Sequence, residues 1–438
     1  MKNTKIINLI KAAVIIIAAV LIVCSLSRVL LLKSEDGINQ IQALYRQPKD
    51  SIDVIFLGSS KVYCDIATGV LWDNYGIAAF DLGGAEAPSW VSYYQLKEAL
   101  KTQRPKVVCY EVSVAAMYDM LTQANNWASD NNYGMKWNKN RIDMLMIDSE
   151  EKDYRIRLNP FNLMHGRYTD LKENDFTNVR DSAKYKGFDP RENIYEMDTP
   201  DTGSITGTEP CTEKEEEYIK KLIELTKSEN IPVILFASPY GVTEREQMIL
   251  NYVGDIAAAE NVEFIDFNKR YEDIGMDFSG DMADSGHLNY NGNYKFTNYF
   301  GSVLKSEYDI PDRRGDERYL SWDHDASLQN FERNDLRLLD VEDVGEIMSL
   351  TQSGYLVFVV SDEKACIFDD GVVVAEGEND FRLSWESGDN TFILSEKMQK
   401  GRQLISLFVD DEEKIESYGN TLFIYDKVRH EYVRSMAF

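Results

Sequence analysis

Between Asp53 and Phe267 the chain repeats one pattern, a short and mostly apolar run followed by a stretch with helical punctuation. The runs are Val54–Leu57, Ala78–Leu82, Val107–Val112, Val233–Ala237 and Val262–Phe267. Their apolar residues stand on consecutive rather than alternate positions, as a strand covered on both faces requires. The intervening stretches carry helix signals. Pro88-Ser89 opens one helix that Pro105 closes, and Thr212-x-x-Glu215 and Thr243-x-x-Glu246 are capping boxes. Strands and helices alternating at this spacing predict an α/β domain with a parallel sheet between helical layers.

In such sheets the reacting groups sit past the carboxyl ends of the strands. The first run ends in Gly58-Ser59-Ser60, which delivers hydroxyls to that edge, although serines there also serve as plain helix caps. Far along the chain, Asp284-Ser285-Gly286-His287-Leu288-Asn289 places a carboxylate three positions from one of only four histidines. That spacing lets the carboxylate orient the imidazole as a general base. Adjacent strand residues face opposite ways, so only one serine of the pair meets that base. Tyr240, after the fourth run in Ser238-Pro239-Tyr240, ends at the same edge and is expected to line a pocket.

Gly-Ser-Ser after the first strand, Leu82-Gly83-Gly84 after the second, and Asp-x-x-His-Leu-Asn near the end together resemble the SGNH (GDSL-like) hydrolase superfamily. The pattern is most similar to membrane-anchored extracytoplasmic members that work beside membrane-bound O-acyltransferases, including the D-alanyl-lipoteichoic acid and alginate O-acetylation proteins. The resemblance spans roughly Asp53 to Lys305 and implies a flavodoxin-like three-layer fold. It also implies Ser60 as nucleophile, His287 as base, Asp284 as its orienter, and the backbone of Ser60 and Gly84 as oxyanion donors. One block departs from the pattern. The superfamily carries Gly-x-Asn-Asp after the third strand, whereas Lys106–Val114 reads KVVCYEVSV, without the asparagine.

The remaining segments set the frame. Ala12–Ser27 is almost wholly apolar, with Lys2, Lys5 and Lys11 before it and Arg28 then Val29–Leu32 after it, which gives the length of a membrane span. No Ala-x-Ala-like cleavage site follows, and Cys24 lacks the small residue expected ahead of a lipoprotein cysteine. Residues 1–33 therefore read as a retained anchor, with basic residues inside and the bulk of the chain outside. Residues 34–52, with Ile38, Ile41 and Leu44 on one stripe, read as a helical stalk lifting an SGNH-like domain (53–310) off the bilayer. Within that domain, 117–210 loses the alternation. This insertion is either a polar surface addition or a source of substrate contacts, with His165 and Arg167 the candidates. The charged, Pro- and Gly-bearing stretch 311–324 reads as a linker. Residues 325–438 carry closely spaced short strands and Asp-Gly and Gly-Asn turns, predicting an antiparallel, all-β, sandwich-like domain.

With 47 Lys and Arg against 74 Asp and Glu, a formal net charge of −27 argues against a nucleic-acid partner. Five scattered cysteines give neither a zinc motif nor a disulfide framework, and no cofactor is expected. Two functions follow. One is a membrane-anchored serine esterase or O-acyltransferase acting on a cell-envelope polysaccharide or teichoic acid beside a membrane-bound O-acyltransferase. The other is a non-catalytic subunit of such a system that binds the polymer or serves as a scaffold, a reading the missing asparagine favours.

Overall fold

The computed structural model describes residues 2–33, 36–121, 131–148, 164–177, 182–361, 364–378, 380–410 and 412–438, in two compact units, Met1–Ala326 and Ser327–Phe438. The first begins with helix α1 (Lys2–Leu30), within which Ile6–Leu30 is long and apolar enough to cross a membrane. It continues through α2 (Ile38–Arg46), β1 (Val54–Gly58), α3 (Ser60–Asp65), α4 (Thr68–Tyr75), β2 (Ala79–Gly83), α5 (Ser89–Ala99), β3 (Val107–Glu111) and α6 (Ser113–Leu121). The insertion contributes α7 (Lys139–Asp148), a 3-10 turn (His165–Thr169) and α8 (Glu173–Thr177). Alternation resumes with α9 (Glu213–Ser228), β4 (Val233–Ala237), α10 (Glu244–Glu260), β5 (Glu263–Asp266) and α11 (Tyr290–Glu307).

Strands β1 to β5 form one parallel sheet in the order β2-β1-β3-β4-β5, the flavodoxin-like doubly wound order. Two cores flank it because successive strand residues point to opposite faces. Ile55, Leu57, Phe80, Val108 and Leu235 meet α2, α5, α9 and α10 on one face. Val54, Phe56, Val107, Ile234 and Phe236 meet α3, α4 and α11 on the other, where Phe56, Phe236, Phe267, Phe296 and Phe300 interlock edge to face. Both capping boxes occur at the helix starts the sequence marks. The Thr212 side chain accepts from Glu215 N and that of Thr243 from Glu246 N.

Of the stretch 34–52, the described residues 36–52 do not form a stalk. Ile38, Ile41 and Leu44 are fully buried in the first unit, because the one apolar stripe of this short helix packs on the sheet through Ile41 and Leu44 and on Tyr133 and Met164 through Ile38. The stretch 311–324 is likewise packed rather than a linker. Tyr319 and Trp322 are buried against Trp72, the Trp322 indole donates to Ala79 O at 3.3 Å, and Arg313 forms a fork to the Asp53 carboxylate at 2.7 and 2.8 Å. The insertion is not wholly a surface addition either. Tyr133, Met135, Met144 and Leu145 are buried, and Arg141 is satisfied within it by Asn132 Oδ1 and Met135 O.

In the second unit an antiparallel four-stranded sheet and an antiparallel five-stranded sheet share a core that includes Phe358, Ile367, Phe392, Leu394, Ile405 and Leu407. The other face of the five-stranded sheet is covered by α12 (Leu320–Asp340) and α13 (Val344–Leu350) through Leu338 and Ile347. The sandwich is therefore not purely β. The periodic polar face of α12 hides this helix among charged residues in the sequence.

Candidate active site

Strand β1 delivers the serine pair through a backbone that only glycine tolerates. Gly58 has φ of 149°, and a Cβ there would lie 2.7 Å from Glu111 Cβ and 2.9 Å from Val62 Cγ2. Ser59 is the N-cap residue of α3, buried and without a side-chain capping bond. Ser60 opens the helix, and its hydroxyl lies 2.7 Å from His287 Nε2.

The imidazole is held from its other side. His287 Nδ1 lies 2.9 and 3.0 Å from the two Asp284 oxygens, so Nδ1–H donates to the carboxylate and Nε2 is left to accept from Ser60. Asp284 Oδ1 also accepts from the backbone N–H of Gly286 at 2.7 Å and of His287 at 3.0 Å. Partial burial alone raises the Asp284 pKa, but the hydrogen bond from His287, its charge and the two N–H groups outweigh it and hold the carboxyl down to about 2. The loop itself is pinned. Leu288 N donates to Asp65 Oδ1 at 2.9 Å, Gly241 N to Ser285 O at 2.8 Å, and the Asn289 side chain caps α11.

Beneath the serine lies a buried charged cluster that the sequence reading passed over. Lys61, 2% exposed, donates from Nζ to Gly286 O in the His287 loop and sits 3.8 Å over the Tyr240 ring. Burial pushes its pKa down, while Asp65, Glu111 and Asp284 pull it up. Glu111, fully buried at the end of β3, accepts from Ser113 N at 3.1 Å and Ser238 N at 3.4 Å, and burial pushes its carboxyl up. The available signal is a charge inside an apolar setting, Lys61 directly after Ser60 and Glu111 in VVCYEV.

The other expected site residues lie elsewhere or are otherwise engaged. The Gly84 N–H donates to Gly58 O at 3.1 Å, because the β1–β2 register pairs Gly58 with Gly83 and the next amide falls on that carbonyl. It is therefore spent and not aimed at an oxyanion. The Ser60 and Lys61 amides open α3 and so have no intrahelical acceptor. Tyr240 is buried under Lys61 rather than lining an open pocket, its hydroxyl without a hydrogen-bond partner among the described residues. Arg167 is bound to Leu30 O at 2.6 Å and paired with Asp175 at 3.2 Å, at the end of α1, where His165 begins the exposed 3-10 turn.

No protein family model matches the chain, and no curated protein matches it. Among solved structures, a Bacteroides fragilis protein described as a "putative acylhydrolase" aligns at 12% identity with a TM-score of 0.32, over 62% of this chain and 99% of that one.

Proposed function

We propose that this chain is a membrane-anchored, extracytoplasmic serine esterase or O-acyltransferase acting on a cell-envelope polymer, with Ser60, His287 and Asp284 as its catalytic triad. The observation that carries this reading is the continuous relay from Ser60 Oγ through His287 to Asp284. In the proposed reaction, Ser60 Oγ attacks the acyl carbonyl as its proton passes to His287 Nε2, and Asp284 stabilises the imidazolium. The Ser60 amide, at the first position of α3, is the backbone donor assigned to the developing oxyanion. Collapse breaks the ester C–O bond, the leaving alkoxide takes the proton from Nε2, and the acyl group stays on Ser60. Water or a polymer hydroxyl then repeats the sequence in reverse, giving hydrolysis or transfer.

The second reading is a non-catalytic polymer-binding or scaffold subunit of a membrane O-acyltransferase system. Its support is the oxyanion side, where the third-block asparagine is missing and the Gly84 amide is spent, since losing one such donor costs about 10²–10³ in rate. Hydrolysis of p-nitrophenyl acetate by the full-length protein separates the two. The enzyme reading expects turnover that Ser60→Ala and His287→Ala each abolish. Turnover that is absent, or indifferent to both substitutions, favours the scaffold.

A further inference from the structure

From Asp36, soon after α1, the described chain lies on the sheet edge that carries Ser60. Leu30 and Leu31 are buried with Ile38, Tyr133 and Met164, so the last turn of α1 is already inside the first unit. A Cβ on Gly37 would lie 3.1 Å from Gly84 Cα, just past the carboxyl end of β2, and Asp36 accepts from the Tyr63 hydroxyl of the nucleophile helix at 3.1 Å. Helix α2 then runs antiparallel to the strands, and Asp50 N donates to Thr102 O ahead of β3, at the opposite edge. The Ser60 edge is thus the edge nearest α1.

Beside the same end of α1 lies the 3-10 turn and α8. Arg167 fastens them to it through Leu30 O and Asp175, yet Tyr168 and Phe176 remain 71% and 66% exposed. The exposed apolar side chains of α1 run from Ile6 to Leu26, and Leu30 is about 6 Å further along the axis. A tyrosine at that height sits among lipid headgroups, where an apolar ring with a polar rim is stable, and an exposed phenylalanine beside it gains by entering the headgroup–acyl boundary.

We propose that the 165–177 segment, through Tyr168 and Phe176, is seated in the headgroup layer of the bilayer that α1 enters, turning the Ser60 edge toward the membrane surface. The inference rests on the anchor assigned to α1 above and not on catalysis. The test uses the full-length protein in phosphatidylcholine and phosphatidylglycerol vesicles, with an environment-sensitive NBD label on single cysteines and lipids carrying a doxyl quencher just below the headgroup. In a Cys24→Ala, Cys366→Ala background, Tyr168→Cys and Phe176→Cys should each lose roughly half their emission, while Ser228→Cys, exposed at the opposite sheet edge, loses none. Emission at 168 and 176 that matches Ser228→Cys overturns the seat. Native Cys24, labelled in a Cys366→Ala background, reports the anchor. If it is quenched while 168 and 176 are not, the seat alone fails, and if it is unquenched the anchor fails with it.

Discussion

At the residue scale the site depends on which of two adjacent serines meets the base. Successive positions at a strand end face different ways, and here Ser59 turns into the fold while Ser60 reaches His287. Ser60→Ala or His287→Ala should each abolish turnover, because groups that act as a unit fail together. Asp284→Asn should leave a small residual rate, and Ser59→Ala a mild loss, both read as kcat/KM on an acetyl ester. Lys61 is a positioning residue in this account, tying the base loop to the nucleophile helix through Gly286 O. Lys61→Met is expected to lower kcat about tenfold or more with little change in KM, since slight misplacement of a reacting pair is costly. A raised KM with kcat unchanged would assign Lys61 to substrate binding instead. The Asp284 carboxyl, held down to about 2, contributes stability that is complete above its ordinary value near 3.8 and is lost as pH falls through 2. The triad loop should therefore survive mild acid.

At the element scale, the helices on the sheet's faces carry buried polar anchors whose titration shapes stability. Glu215, in the first turn of α9, is fully buried and accepts from Ser89 N at 3.2 Å, and burial raises its carboxyl to about 7. The folded state therefore binds a proton there between its ordinary value near 4.5 and 7, where the unfolded chain does not. Stability should fall as pH rises through that window, by on the order of 1–3 kcal/mol, and level off above it. Glu215→Gln should lessen the pH dependence of thermal unfolding, while the raised carboxyls of Glu111 and Asp335 keep part of the slope, and a slope unchanged in the variant would assign it elsewhere. The elements were legible where apolar runs are bounded by caps and prolines, so all five parallel strands and the capped helices α9 and α10 appear where the pattern puts them. Elements whose burial comes from one stripe or from two aromatics among charges were not. The stripe of α2 reads like a stalk, and Tyr319 and Trp322 are inconspicuous within IPDRRGDERYLSWD, yet packing decides both. Likewise Ser60, His287 and Asp284 were visible as a motif, whereas the Gly84 hydrogen bond follows from strand register, which no local spacing reports.

At the scale of the whole molecule, the first unit extends past the apparent linker. A chain ending at Asp312 loses Arg313, Tyr319 and Trp322, and should be insoluble or unfolded by circular dichroism, since removing one large buried aromatic costs about 3–5 kcal/mol. Trp322→Ala in the full chain should lower the unfolding midpoint for the same reason, and a soluble, cooperatively folding 1–312 fragment would contradict that account. The topology proposed for α1 places everything from α2 onward outside the cytoplasmic membrane, so external protease on spheroplasts should remove both units and leave a short anchor. The most direct test of the central claim joins topology to chemistry. Intact spheroplasts are treated with a membrane-impermeant fluorophosphonate and the adduct is mapped by peptide mass spectrometry. The account predicts modification of Ser60, lost in His287→Ala. An adduct on Ser59, one that forms only after lysis, or none on the folded protein would contradict it.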